Sequence, residues 1–152
     1  MTASSIQAVE TPEQLQEVRA LLVEYANSLA FHICFEDFQK ELEALPGAYA
    51  RPSGALFLGL SDGKAAGCIA LKHAAPQICE MKRLYVRPDF RGQRLGRKLV
   101  ETAIDAARKM RYTRIRLDTL LAMKAARALY HSMGFREIGG DDEKIDMELE
   151  LV

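Results

Sequence analysis

Across Pro88 the apolar residues change their period, and this change constrains the fold more than any other feature of the sequence. Upstream, Glu80–Val86 reads as a strand that Pro88 stops. Downstream, Leu95, Leu99, Ala103, Ile104, Ala107 and Met110 recur on one helical face, so a helix is expected to begin near Gly92. A strand that feeds a helix through a short loop places the chain among α/β folds.

The flanking segments extend the pattern. Ile6–Val9 reads as a short strand, and Thr11-Pro12-Glu13-Gln14 as a helix start. Thr caps, Pro takes the first turn and Gln sits three after the cap. Leu15, Val18, Leu21, Leu22, Tyr25 and Leu29 follow at helical spacing. Phe35–Leu45 is a shorter helix ended by Pro46-Gly47. Ala55–Leu60 and Ala66–Lys72 flank the hairpin signal Ser61-Asp62-Gly63-Lys64. Thr113–Asp118 is a strand, and Met123–Met133 a helix closed by Gly134. Phe135–Ile138 and Ile145–Leu151 form a final hairpin, with Asp146, Glu148 and Glu150 on the polar side of the second strand. The order β-α-α-β-β-β-α-β-α-β-β predicts a mixed α/β (α+β-like) domain over 1–152, with six to seven strands and about four helices.

Composition excludes several classes. Apolar residues at 49% and charged residues at 28% suit a globular chain. No apolar run approaches the roughly 18 residues of a membrane span. The N-terminus has no basic n-region or apolar h-region, so no signal peptide is expected. Cys34, Cys68 and Cys79 are dispersed and odd in number. They argue against a disulfide framework or zinc cluster and fit a reducing cytoplasm. No metal-ligand spacing or Ser/His/Asp arrangement is present, so neither a metal nor a hydrolase is expected.

Net charge is zero but unevenly spread. Seven basic residues between Lys82 and Lys98 meet only Asp89, whereas residues 1–45 and 137–152 are strongly acidic. A basic centre suggests an anionic ligand, and the acidic flanks suggest more weakly a cationic partner. The centre, Arg87-Pro88-Asp89-Phe90-Arg91-Gly92-Gln93-Arg94-Leu95-Gly96-Arg97, has the physics of a diphosphate cradle. The first amides of a helix lack intrahelical partners and carry partial positive charge. Gly92 and Gly96 let the backbone approach a ligand closely, and Arg91, Arg94 and Arg97 add charged donors. GxxxxGK[ST] and GxGxxG are both missing. Sparse aromatics and a neutral chain weigh against nucleic acid. On charge alone, a solvated helix start is the other reading.

The segment resembles the GNAT superfamily of acyl-CoA-dependent N-acyltransferases, whose signature is a strand followed by [Q/R]-x-x-G-x-[G/A] opening a helix. Positions 91–96, RGQRLG, match at Arg91 and Gly96 and carry Arg94 at the usual middle glycine. Arg94 keeps a backbone N–H and can add charge, provided its φ need not be positive. A second motif, Ala126-x-x-Leu129-Tyr130-x-x-x-Gly134-Phe135, matches in full, with Met123 where the family often has asparagine.

The resemblance implies a sheet splayed between the strands at 80–86 and 113–118, with acetyl-CoA in that V as acyl donor. Leu84, Tyr85 and Val86 would pair with pantetheine like an added strand, and Arg91, Gly92, Gln93, Arg94, Leu95, Gly96 and Arg97 would hold the pyrophosphate. The N-terminal helices and final hairpin would form the acceptor pocket. Tyr130 would protonate the departing thiolate, and the strand amide near Leu84 would polarise the thioester. A lysine-like amine costs about 4.6 kcal/mol to neutralise at pH 7, so a base is needed. Glu80 is preferred, on a face shared with Lys82 and Leu84 by strand alternation. His32 and a water chain are the rivals. His73 and His131 have no supporting constellation, and Glu36, Asp118 and Tyr25 are further residues for the pocket.

The expected function is acetyl transfer from acetyl-CoA to a primary amine by direct attack in a ternary complex. The alternative is a catalytically silent acyl-CoA-binding or regulatory module. The acceptor is a small-molecule or peptide amine, with neither nucleic acid nor membrane as partner. A homodimer is common in the resembled family, and no residue here argues for one.

Overall fold

The computed structural model describes residues 3–29 and 35–151, with the side chains of Phe35 and Glu36 left out. The expectations for His32, Cys34 and the Glu36 side chain therefore lie outside the described residues. The elements run β1 (Ser4–Ala8), α1 (Pro12–Leu29), α2 (Phe35–Ala44), β2 (Ala55–Ser61), β3 (Lys64–Ala75), β4 (Ile78–Val86), α3 (Leu95–Lys109), β5 (Arg114–Leu120), α4 (Lys124–Ser132), β6 (Arg136–Gly140) and β7 (Lys144–Glu150). Type and order agree with the periodicity.

Local chemistry sets several boundaries. At the start of α1 the Gln14 N–H donates to Thr11 Oγ1 at 3.1 Å, while Gln14 Oε1 accepts from the Thr11 N–H at 2.9 Å. This is the reciprocal capping box its sequence predicts. Asp62 and Gly63 turn β2 into β3 with φ of +49° and +79°. After α4, Gly134 takes φ +98° and Phe135 N–H returns to the Tyr130 carbonyl at 3.1 Å, closing the helix. β3 and β4 are longer than 66–72 and 80–86, because each continues to the tight connection at Pro76-Gln77 that joins them.

The seven strands form one sheet in the order β1-β2-β3-β4-β5-β7-β6. All neighbours are antiparallel except β4 and β5, which are parallel. One face buries Leu95, Leu99, Val100 and Ala103 of α3 with Tyr130 of α4 against Ile69, Met81 and Ile115. The other buries Val18, Leu21 and Leu22 of α1 with Phe38 of α2 against Leu58, Cys68 and Tyr85. Removing these side chains from water is the main drive for collapse. Glu148 departs from the polar side predicted for it. It is 6% exposed and paired with its cross-strand neighbour Arg116 at 2.8 Å, which makes its burial tolerable.

Two irregularities position the site. β4 and β5 pair only at Ile78↔Arg114, Cys79↔Ile115 and Glu80↔Arg116; residues 81–86 and 117–120 run on unpaired with each other. Against β3, Lys82 pairs with Ala70 and Tyr85 with Cys68, so Arg83 and Leu84 together face the single residue Ile69. This is a β-bulge, and Arg83 takes φ +62° within it. The bulge inverts the alternation: Cys79 and Met81 face the α3 side before it, and Leu84 and Val86 after it. Glu80 and Lys82 therefore do not share a face with Leu84, which corrects the expectation from simple alternation.

Candidate active site

Where β4 leaves β5, two connected clefts open. The larger, about 1050 Å³, lies between Leu84–Val86, the loop and first turn of α3 (90–97), and Ala122–Ala126 at the start of α4. Nine of the ten residues expected to hold the donor line it. The exception is Gln93, whose Oε1 instead accepts a hydrogen bond from Ser61 Oγ at 3.1 Å. Met123, at the usual asparagine position, lines both clefts with a thioether that offers no amide donor.

The cradle is built by backbone conformation. α3 begins at Leu95, three residues later than expected, because Gly92 has φ +85° and Arg94 caps the helix with φ +62° and ψ +19°. The proviso attached to Arg94 is thus not met. The backbone there is the left-handed one a glycine adopts freely, and a side chain costs about 1–2 kcal/mol. Gly96 is different. A Cβ on it would lie 3.8 Å from Val86 Cγ2 and Leu129 Cδ2, two residues of the cleft wall, and would fill cleft space.

The basic segment is divided between two faces. Arg91, Arg94 and Arg97 line the cleft. Arg91 Nε donates to the Val86 carbonyl at 3.0 Å, and Arg97 reaches Ser132 Oγ at 3.1 Å and Glu101 at 3.3 Å. Arg94 makes no side-chain hydrogen bond or ion pair among the described residues. Arg83 and Arg87 instead cross to the helices on the other face, where Glu41 and Glu24 meet them at 2.9 and 2.8 Å. The acidic N-terminal segment thus neutralises two of the seven charges.

The smaller cleft, about 300 Å³, shares Tyr25, Leu84, Met123 and Ala126 with the larger one. Tyr130 stands on its wall, 7% exposed, with its ring 5.8 Å from that of Phe135. Its hydroxyl has no hydrogen-bond partner among the described residues. Burial raises this phenol above its ordinary range, and Tyr25 and Asp118 add to the rise. Burial raises Tyr25 as well; Arg83 pulls it down, while Asp118 and Glu41 push it up. Glu80 lines neither cleft and sits between Lys82 at 3.4 Å and Lys72 at 3.6 Å. The carboxylates that do line the small cleft are Asp37, Glu41 and Asp118. Nothing in the sequence marks Glu41: it flanks the apolar stripe of α2 beside Phe38 and belongs to no local motif. His73 meets Tyr112 at 3.4 Å and His131 meets Glu137 at 3.2 Å, both outside the clefts.

Comparison with known proteins agrees with this geometry. An N-acetyltransferase of Schizosaccharomyces pombe, not itself characterised, is 37% identical over 134 residues, covering 87% of this chain and 82% of that protein. An acetyltransferase structure from Streptococcus agalactiae superposes with a TM-score of 0.82 at 26% identity, over 97% of this chain and 98% of that one. The PaiA N-acetyltransferase of Thermoplasma acidophilum, solved in complex with coenzyme A, has the same fold (TM-score 0.79, 19% identity, 97% and 99% covered). Residues 15–135, which include β2 to β5, the whole lining of the larger cleft and all of the smaller one's except Lys144, match the acetyltransferase (GNAT) family. The chain belongs to that family and is an acyltransferase.

Proposed function

We propose that this enzyme takes acetyl-CoA as acyl donor in the larger cleft and passes the acetyl group to an amine in the smaller one, by direct attack in a ternary complex. One observation carries the reading: the two clefts meet at Leu84, on the stretch of β4 that has no partner on β5. An unpaired strand edge offers backbone donors and acceptors to an extended, amide-bearing arm. The open amides of the 91–97 turn and the Arg91, Arg94 and Arg97 side chains suit a diphosphate. That PaiA binds coenzyme A on the same fold supports the assignment.

Bound there, acetyl-CoA supplies a thioester. In this reading Asp118, a carboxylate on the cleft wall, takes a proton from the entering ammonium and frees the nitrogen lone pair. A backbone amide near Leu84 stabilises charge on the carbonyl oxygen. As the C–N bond forms, the C–S bond breaks and its electron pair leaves on sulfur. Tyr130 protonates that sulfur, and the proton shed by the new amide nitrogen restores the phenol. Glu80, outside the cleft, would reach the amine only through water. Direct attack is favoured because the cysteines among the described residues, Cys68 and Cys79, are buried away from both clefts, and burial pushes each thiol up to about 12.

Calorimetry with acetyl-CoA, on the wild type and an Arg91→Ala, Arg94→Ala double variant, tests the reading. Micromolar binding weakened at least tenfold in the variant is expected. No binding at millimolar acetyl-CoA overturns it. Binding without thiol release toward any amine leaves the silent acyl-CoA-binding module.

A further inference from the structure

We propose that the acceptor is a free amino acid, its carboxylate docked on the open edge of Arg83 and its amine facing Asp118. This rests on the acetyl-transfer reading above and names the substrate class of the same site.

Arg83 occupies the β-bulge, one residue before the point where the clefts join. Its guanidinium is fixed from two sides. Nε and Nη2 each donate to Glu41 at 2.9 Å, and the Phe38 ring lies 5.6 Å from the guanidinium carbon. Glu41 therefore takes the side-on edge of the fork. The end-on edge remains: Nη1 makes no direct hydrogen bond among the described residues, although the buried Tyr49 hydroxyl lies close to the Arg83–Glu41 pair. An arginine held flat with one edge open is a carboxylate receptor, because two parallel N–H groups match two carboxylate oxygens.

The rest of the cleft fits one molecule bearing both charges. Its acidic groups are Asp37, Glu41 and Asp118, and its basic groups Lys82, Arg83 and Lys144, so they balance. A polyamine would meet as many cations as anions. A carboxylate joined to an ammonium by a short spacer gains at both walls: Arg83 on the β4 side, and on the β5 side Asp118, where the ammonium joins the longer Lys144 contact at 3.8 Å. Arg83, Asp118 and Tyr25 all line this one cleft. A volume of about 300 Å³ suits a single small molecule better than a folded protein terminus. The bonds made and broken are those of the transfer described above.

The test is thiol release from acetyl-CoA with the twenty common L-amino acids, each paired with its carboxamide, and with putrescine. The wild type and Arg83→Lys are compared; the lysine keeps the charge beside Glu41 but loses the fork. At least one amino acid is expected to exceed its amide about 10- to 100-fold in kcat/KM, the range of a charge-assisted hydrogen-bonded pair. In Arg83→Lys that ratio should fall below about threefold, through KM for the acid. Because the ratio is taken within one preparation, partial unfolding cancels. Amides or putrescine used as well as the acids, or an acid preference that survives Arg83→Lys, would overturn the proposal. So would acetyl-CoA binding with no amine acetylated. Failure to bind acetyl-CoA would instead sink the underlying acetyl-transfer reading.

Discussion

Tyr130 is anchored by packing and lines the small cleft, and its hydroxyl has no partner among the described residues. Removing that oxygen leaves no buried polar group orphaned, so Tyr130→Phe should fold normally. If the phenol supplies the proton to sulfur, kcat should fall about 100-fold, at the low end for general acid catalysis. The acetyl-CoA Kd should stay within about threefold. Rapid-quench turnover beside calorimetry reads both, and an unchanged kcat would remove Tyr130 from the chemistry. The tyrosine was legible in the sequence because its motif is contiguous. In the sequence Asp118 is one pocket residue among several, and nothing marks Glu41 or Arg83 for a role there. Their roles depend on meeting across 42 residues of chain, and nothing local signals that meeting.

At the scale of elements, the N-terminus of α3 sets backbone strain against charge. Arg94 caps the helix in a left-handed conformation at the edge of the larger cleft. Arg94→Gly should remove about 1–2 kcal/mol of strain. It also adds unfolded-chain freedom costing about 0.5–1 kcal/mol. The net effect is a gain of up to about 1.5 kcal/mol, or at most roughly 6 °C in Tm. Acetyl-CoA affinity should move the other way, falling several-fold with the lost charge. Thermal melts and calorimetry on one sample test the pair of signs. A variant both less stable and unchanged in affinity would refute the strain argument and the binding role together. Glycine chemistry made this turn readable in outline. The positive φ at residue 94 was not, because an arginine in sequence announces no such conformation.

For the whole molecule, all five tyrosines have phenols raised above their ordinary pKa, in each case chiefly by burial. The sign follows from linkage. A group whose folded pKa exceeds its unfolded value favours the folded state fully below the unfolded pKa, near 10 for tyrosine. That contribution is lost as pH rises through the folded value. Stability should therefore be flat for these groups up to about pH 9.5 and then fall, by at most about 1.4 kcal/mol per pH unit for each tyrosine involved. Denaturant melts between pH 8 and 11, read beside phenolate absorbance, check this. Phenolate should appear together with unfolding; tyrosines that titrate near pH 10 in the folded protein would contradict the burial.

Element type, element order, the caps at Thr11 and Gly134, and the two motifs around the clefts followed from the sequence by itself. Each is a matter of residues within one or two turns of one another, where spacing and backbone preference decide. The tertiary structure alone decided that β7 lies between β5 and β6, and that β4 and β5 part after three pairs. It also decided that a bulge at Arg83 exchanges the faces of the following residues, and that Glu24 and Glu41 draw two arginines away from the cradle. Strand register and long-range ion pairs reflect how whole surfaces fit once the chain has closed on itself. No local stretch of sequence carries that information.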